Sequence, residues 1–141
     1  MDVQLSRELQ RKIFEQMEAS YPNEGGGFLL GEAQADAITV LDVIEVENTF
    51  AEEEQYHRYA MKPQDWMRLE DEADERGLSL VGYYHSHPDS PAIPSEYDRE
   101  HALPNFVYVI TSVMMARAVD MRVWRLRPDR GAFEEGTLSL T

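Results

Sequence analysis

Two histidines separated by a single residue, His85 and His87, stand near the end of an apolar segment, and Asp98 follows at the start of a helical pattern. Alternate residues of a β-strand share one face, so the two imidazoles are expected to be neighbours. Imidazole nitrogens and a carboxylate oxygen are zinc ligands, and three protein ligands leave the fourth tetrahedral position open for water. The spacing therefore predicts one zinc ion per chain, held by His85, His87 and Asp98.

A hydrolytic zinc site also needs a base, and Glu24 is the best candidate. It precedes the glycine-rich turn from Gly25 to Gly27, which leads into a short apolar run typical of a buried strand. A carboxylate at such a position can be held close to water bound by a metal on a neighbouring strand. A glutamate beside glycines is more often an ordinary turn residue. The prediction for Glu24 therefore depends on the presence of the three predicted metal ligands in the same sequence.

Three helices are predicted around these residues. In the first, Leu5 begins an apolar stripe that recurs every four positions, with Ser6 as N-cap and an end near Ser20. The second runs from Pro63 to Arg76, because proline suits the first turn of a helix. The third runs from Ser95 to about Leu103. Ser95-x-x-Asp98 is also an ordinary helix-capping signature, and that role is compatible with metal binding.

The predicted strands are short runs rich in apolar and β-branched residues. They are Phe28 to Gly31, Ala37 to Val46, Leu78 to His87, Phe106 to Val113 and Val119 to Leu126, with a possible short strand from Tyr56 to Met61. The first two and the last two are expected to pair as neighbours. In the strand from Leu78, a period of two places Val81, Tyr83, His85 and His87 on one face. The tail from Pro128 carries at most one further weak strand, and Glu52 to Glu54 is expected to be an exposed loop.

Strands in neighbouring pairs mixed with three helices predict an α/β fold with a single mixed β-sheet flanked by helices. The chain has 141 residues and no internal repeat, which fits one domain over residues 1–141. A chain of this length buries enough surface to fold without a structural metal. We therefore expect the metal to serve chemistry rather than folding.

Composition excludes several classes of function. There is no cysteine, which rules out a disulfide scaffold, a cysteine nucleophile and every thiolate metal site. The 27 acidic residues exceed the 13 basic ones and give a net charge of −14, so nucleic acid and anionic membranes are poor partners. No signal peptide or transmembrane segment is visible, and we expect a cytoplasmic protein.

Three separated pieces of the sequence together resemble a known family. Glu24-Gly25-Gly26-Gly27, His85-Ser86-His87-Pro88 and Ser95-Glu96-Tyr97-Asp98 are similar to the E-x-x-G, H-[ST]-H-P and S-x-x-D parts of the JAMM (MPN+) metalloprotease motif. The resemblance covers the whole chain in the order of its elements. The short chain looks most like the compact prokaryotic members.

The resemblance implies a cytidine-deaminase-like α/β fold and a zinc-dependent hydrolase. Such an enzyme cleaves peptide or isopeptide bonds after the C-terminal Gly-Gly of ubiquitin-like or sulfur-carrier proteins. The resemblance also implies roles for individual residues. His85, His87 and Asp98 would be the zinc ligands, Glu24 the general base on the zinc-bound water, and Ser95 a hydrogen-bond donor to the oxyanion. The oligomeric state stays open.

Three other classes of protein share part of this pattern. His85-Ser86-His87-Pro88-Asp89 begins like the H-x-H-x-D-H motif of metallo-β-lactamase-type hydrolases, but position 90 is serine and few other histidines remain. A zinc nucleobase deaminase needs P-C-x-x-C, and the chain has no cysteine. The serious alternative is a non-catalytic MPN-type scaffold that binds partner proteins. Scaffolds of this kind lack the metal ligands, which are all present here.

The charge composition leads to a prediction about salt. Eleven of the 13 basic residues are arginine and only two, Lys12 and Lys62, are lysine. One interpretation is a surface adapted to high ionic strength, and the other is an ordinary acidic surface. If the first holds, the melting temperature will rise between about 0.1 M and 1 M KCl, because the Debye length falls from about 10 Å to about 3 Å and self-repulsion is screened. A flat or falling melting temperature by calorimetry would contradict it.

Overall fold

The computed structural model describes residues 1–46 and 63–141, with the backbone alone described for residues 63–66. The predicted loop at Glu52 to Glu54 and the possible strand from Tyr56 to Met61 lie outside these residues. The same is true of His57. All other predicted elements fall on described residues.

All three predicted helices are confirmed. They are α1 (Arg7–Ser20), α2 (Pro63–Glu75) and α3 (Glu96–His101). The predicted N-cap Ser6 lies directly before α1, where its side-chain oxygen accepts a hydrogen bond from the backbone N–H of Leu9 over 3.1 Å. The third helix is two residues shorter at its C-terminal end than predicted, and Ser95 is its N-cap.

The described residues form one sheet of eight strands. The strands are β1 (Asp2–Leu5), β2 (Gly26–Gln34), β3 (Ala37–Val46), β4 (Ser79–Pro88), β5 (Val107–Met114), β6 (Arg117–Leu126), β7 (Phe133–Glu135) and β8 (Thr137–Leu140). Their order across the sheet is β7-β6-β5-β4-β2-β3-β1-β8. β4 pairs with β5 in parallel, and β1 pairs in parallel with both β3 and β8, while the other pairs are antiparallel. The predicted mixed sheet, its flanking helices and both predicted neighbour pairs are confirmed.

The two ends of the sheet are joined by the end of the chain. β7 and β8 stand at opposite ends of the strand order, yet Gly136 alone separates them in sequence. The N–H of Gly136 donates to the carbonyl of Val123 in β6, and the N–H of Thr137 donates to the carbonyl of Met1, both over 2.9 Å. The sheet is therefore curled. The prediction of at most one weak strand in the tail is wrong, and Leu5 belongs to a strand rather than to the first helix.

Helix α1 packs against one face of the sheet. Its residues Ile13 and Met17 are fully buried and pack in one cluster with Val3 of β1 and Tyr84 of β4. The Tyr84 hydroxyl donates a hydrogen bond to the Gln16 side chain of the same helix. Each buried side chain of this size stabilises the fold by about 1.5 to 3 kcal/mol, so this cluster holds β4 firmly in place.

Helix α2 packs in a second cluster near the start of β2, where its Leu69 is fully buried against Phe28 and Val46. A third cluster centres on Tyr108 of β5 and Leu126 of β6. Half-buried Tyr83 of β4 packs against both of these clusters. Two layers of apolar side chains therefore enclose β4.

A β-bulge in β4 interrupts the predicted alternation of side chains between the two faces of the sheet. The register with β2 pairs Leu80 with one residue and Gly82 with the next, which leaves Val81 as an extra residue. Val81 consequently packs in the α1 cluster, whereas Tyr83 packs on the other side. The prediction that Val81 shares a face with Tyr83 and the histidines is wrong. Tyr83 and His85 do share a face, and their rings stack.

A second β-bulge interrupts the alternation of side chains in β6. Ala118 and Asp120 pair with consecutive residues of β5, so Val119 is the extra residue. Val119 is 59% exposed, whereas Met121 and Val123 are buried. No helix in residues 1–46 and 63–141 is long and apolar enough to cross a membrane.

Candidate metal centre

The two predicted histidine ligands lie near the end of β4, a strand flanked on both sides. His85 is paired with Gly26 of β2 and with Ile110 of β5, and His87 is paired with Ser112 of β5. His85 is 1% exposed and His87 is 8% exposed. Because their backbones are held by neighbouring strands, both imidazoles project from a rigid base.

Asp98 reaches these histidines from the first turn of α3. The N-cap Ser95 accepts a hydrogen bond from the Asp98 N–H over 3.1 Å, and its own N–H donates to Oδ2 of Asp98 over 2.8 Å. This capping box orients the carboxylate toward β4. Oδ1 lies 3.1 Å from Nε2 of His85, and Oδ2 lies 3.0 Å from Nε2 of His87.

The spacing of these three groups fits a tetrahedral ion. The two Nε2 atoms are 3.2 Å apart, and a set of ligand atoms from the three residues lies within 4.8 Å of one another. Zinc ligands at about 2.05 Å from the ion are separated by about 3.3 Å in a tetrahedron. The donor set of two nitrogens and one oxygen is therefore already arranged as zinc requires, with a fourth position left for a small molecule.

Each imidazole is held in a different way. Nδ1 of His87 lies 2.9 Å from the carbonyl oxygen of Pro91. A carbonyl only accepts, so Nδ1 carries the hydrogen, and Nε2 of the neutral ring presents its lone pair to the site. The ring of His85 instead stacks on Tyr83, with ring centroids 5.4 Å apart. Its Nδ1 has no hydrogen-bond partner within the described part of the chain.

The pKa values of Asp98 and His87 both differ from the ordinary values of these groups. Burial by itself would raise the pKa of Asp98, but the charge of His85 and the hydrogen bonds from both imidazoles outweigh it and hold that pKa well below its ordinary value. Burial by itself would lower the pKa of His87, but the hydrogen bond and charge of Asp98 outweigh it and raise that pKa. A carboxylate with a lowered pKa beside an imidazole, that of His87, with a raised pKa indicates a site that favours positive charge.

Glu24, His87 and Ser95 line one open cleft of about 200 Å³. The other lining residues are Pro88, Ser90, Pro91 and Ile93. Glu24 is only 7% exposed. The hydrogen bond that Ser95 Oγ accepts within the capping box does not use its hydroxyl hydrogen, which remains able to donate. The structure therefore brings all five predicted site residues together.

The segment from Asp89 to Leu103, which carries Ser95 and Asp98, is held by hydrogen bonds to its backbone and by the burial of Ala92 and Ala102. Helix α3 itself has no buried residue. Ser112 donates to the carbonyl of Ser90, Trp124 to that of Ala92 and Arg130 to that of Ala102, while the Tyr108 hydroxyl accepts from the N–H of Leu103. These supporting side chains come from β5, β6 and the loop after β6.

The sequence did not reveal these supporting residues. A lone serine or tryptophan in an apolar strand carries no local signal that its polar atom points at a distant loop. The sequence analysis also gave Ser86 no role, although a polar residue between two predicted ligands in an apolar strand indicates a specific hydrogen bond. His101 is exposed, and its ring stacks on that of Tyr97.

The protein is therefore an α/β protein with one mixed sheet. A His-x-His pair at the end of a central strand and an aspartate from the next helix form its candidate metal site. Within that class the chain belongs to the family described as prokaryotic homologs of the JAB domain, whose model matches residues 6–127. The membership of a compact prokaryotic JAMM/MPN group that the sequence predicted is confirmed.

Two curated relatives are similar over most of the chain. One, named desampylase, comes from Haloferax volcanii and is 38% identical over 92 residues, covering 64% of this chain and 63% of the relative. The other, named probable TtuB-protein conjugate cleaving protease, comes from Thermus thermophilus and is 30% identical over 97 residues, covering 69% of this chain and 61% of the relative. The matches therefore span about three-fifths of each relative's length.

Two solved structures share the fold over the whole chain. A solution structure from Salinibacter ruber has a TM-score of 0.76 at 34% identity and is covered over 92% of its length. A solution structure from Desulfitobacterium hafniense has a TM-score of 0.84 at 22% identity and is covered over 93%. At that lower identity the second shows the fold alone.

The geometry predicts that His87→Ala weakens zinc binding by more than about 100-fold, because it removes a ligand and leaves Asp98 with one imidazole partner. Competition with a chromogenic zinc chelator measures this. His101→Ala is the matched control, since that histidine is exposed and outside the group. If His87→Ala bound zinc as tightly as the control, the ligand assignment would be wrong.

Proposed function

We propose that this protein is a zinc-dependent isopeptidase or peptidase that cleaves after the C-terminal Gly-Gly of a ubiquitin-like or sulfur-carrier protein. The observation that carries the proposal is the convergence of three metal-ligand side chains with a buried carboxylate, Glu24, and a hydroxyl, Ser95, around one cleft. The names of the two relatives, a desampylase and a protease that cleaves TtuB-protein conjugates, support this substrate class.

His85, His87 and Asp98 are the proposed ligands of the zinc ion. When bound, zinc polarises the scissile carbonyl and makes water more acidic, so that a carboxylate base suffices near neutral pH. Two imidazoles and one carboxylate would supply three ligands, and a three-ligand set is typical of catalytic zinc, whereas structural zinc sites have four protein ligands. The remaining chemistry belongs to the chain's own residues.

Glu24 is the proposed general base. Its carboxylate accepts a proton from the attacking water as the water oxygen bonds to the scissile carbonyl carbon. The same carboxyl group then gives that proton to the departing amine as the carbon–nitrogen bond breaks. One residue can perform both transfers because attack and departure take place around the same carbon atom. Burial of Glu24 at the cleft wall keeps bulk water from competing for the proton.

Ser95 is the proposed donor to the oxyanion that develops on the carbonyl oxygen. Its Oγ already accepts the Asp98 N–H, which fixes the position of the hydroxyl group at the cleft. The hydroxyl hydrogen can then be directed at the oxyanion. A fixed donor aimed at developing charge stabilises the transition state more than the ground state.

Glycine specificity follows from the shape of the cleft. Pro88 and Pro91 stiffen its wall, so this side of the cleft does not move aside readily for a side chain next to the reacting carbonyl. A Gly-Gly terminus can pass where bulkier residues would collide.

Glu24→Gln tests the proton-transfer role. The amide has nearly the same shape and can occupy the same place, but it cannot take a proton. We expect turnover of a Gly-Gly-linked conjugate to fall by about 100-fold or more while zinc content is unchanged. Glu32→Gln is the control, since this exposed glutamate lies on the same strand, β2, away from the cleft. Near-normal turnover in Glu24→Gln would place the base elsewhere.

The second test changes the substrate instead of the enzyme. A ubiquitin-like protein fused through its Gly-Gly terminus is compared with the same fusion carrying Ala-Ala, and the products are weighed by mass spectrometry. We expect the Ala-Ala fusion to be cleaved at least about tenfold more slowly, because each methyl group must displace neighbours in a narrow site. Equal rates would refute the glycine argument. Binding of both without cleavage by the zinc-loaded protein would favour the scaffold alternative.

A further inference from the structure

Ser86 is a buried residue to which the proposed mechanism gives no role. It lies between the two histidine ligands in β4 and has no exposed surface. Because alternate residues of a strand face opposite ways, its side chain points away from the metal group that His85 and His87 form. Most buried hydroxyl groups in proteins have a hydrogen-bond partner, and the partner of Ser86 is a backbone group of a neighbouring turn.

Its partner is the turn that carries Glu24. The N–H of Gly25 donates to Ser86 Oγ over 2.9 Å, and the N–H of Ser86 donates to the carbonyl of Gly25 over 3.0 Å. Strand β2 begins only at Gly26, so this reciprocal pair of bonds lies just beyond its first residue. The hydroxyl thus takes the place of a backbone carbonyl at the point where the two strands separate.

The bond to Gly25 acts directly on Glu24. The Gly25 nitrogen and the Glu24 carbonyl carbon belong to one rigid peptide plane, so holding that N–H restricts the ψ angle of Glu24. Gly25 alone separates Glu24 from strand β2, and a glycine at this position would otherwise let the turn take many conformations. An error of about 1 Å in the position of a catalytic group can cost about 100-fold in rate.

We propose that Ser86 is a positioning residue whose hydroxyl, by holding the Gly25 N–H, sets the direction from which Glu24 faces the cleft. This inference rests on the proposed role of Glu24 as base. Ser86 couples the base and the ligands mechanically, because the residue that orients the base is covalently flanked by both histidines. A small displacement of β4 would then move base and ligands together.

The test compares Ser86→Ala with Ser86→Thr, and uses Thr111→Val as the matched control. Thr111 is the register partner of Ser86 on β5, is equally buried, and its hydroxyl has no hydrogen-bond partner among residues 1–46 and 63–141. Ser86→Ala should lower kcat by about 10- to 100-fold with little change in KM, because it disturbs orientation and not binding. Ser86→Thr retains a hydroxyl and should recover most of the rate, and Thr111→Val should match the unaltered protein.

Zinc affinity separates this role from a general structural one. The backbones of both histidines are paired with β5 whichever side chain stands at position 86. Ser86→Ala should therefore bind zinc within about threefold of the unaltered protein, well short of the 10- to 100-fold loss typical of residues that orient metal ligands. A loss of zinc affinity that parallels the loss of kcat would overturn the proposal, since Ser86 would then act through the histidines.

Amide hydrogen exchange tests the same bond without reference to activity. In the zinc-loaded protein, the Gly25 N–H should exchange at least about tenfold faster in Ser86→Ala than in Thr111→Val, as measured by NMR. Unchanged exchange at Gly25, or an unchanged kcat in Ser86→Ala, would overturn the proposal. Failure of the proposed function is recognised separately: the unaltered protein and Glu24→Gln would then process conjugates equally, and the exchange result would still decide whether Ser86 holds the turn.

Discussion

Two imidazole nitrogens and a carboxylate meet within about hydrogen-bond distance of one another at the end of β4, and they are mostly removed from water. Three electron-rich groups in such a place repel each other unless positive charge lies among them. The lowered pKa of Asp98 and the raised pKa of His87 show that positive charge is favoured between these groups. A divalent cation would reduce the repulsion more than protons do, because it can bind all three groups at once.

The rest of the structure keeps these groups from relaxing apart. β4 has a strand on each side and apolar clusters on both faces, so the histidines cannot retreat. Asp98 stands on a helix without a buried residue, and its position depends on Ser95 and on hydrogen bonds from β5, β6 and the following loop. The two histidines are thus fixed by core packing, whereas Asp98 depends on hydrogen bonds to its segment together with the burial of Ala92 and Ala102.

The sequence was most informative where chemistry and local structure coincide. His85 and His87 have the spacing of one strand face, and Ser95 and Asp98 have that of a helix cap, so each pair could be placed from a few neighbouring residues. The curled sheet could not be predicted in this way. β1 and β8 are four residues each and are specified by pairing with each other across nearly the whole chain. The bulge at Val81 likewise depends on the register with β2, which leaves no mark on β4 alone.

We propose that His85, His87 and Asp98 bind one zinc ion and that a small molecule supplies the fourth ligand. Zinc K-edge X-ray absorption of the protein loaded with one equivalent of zinc measures this coordination. We expect four ligand atoms at about 2.0 to 2.2 Å, all nitrogen or oxygen, with the outer-shell scattering of two imidazole rings. Scattering from a third imidazole would mean that His57 or His101 closes the site, and scattering from fewer than two would mean that zinc binds elsewhere. Either result would show that the proposed ligand set is wrong.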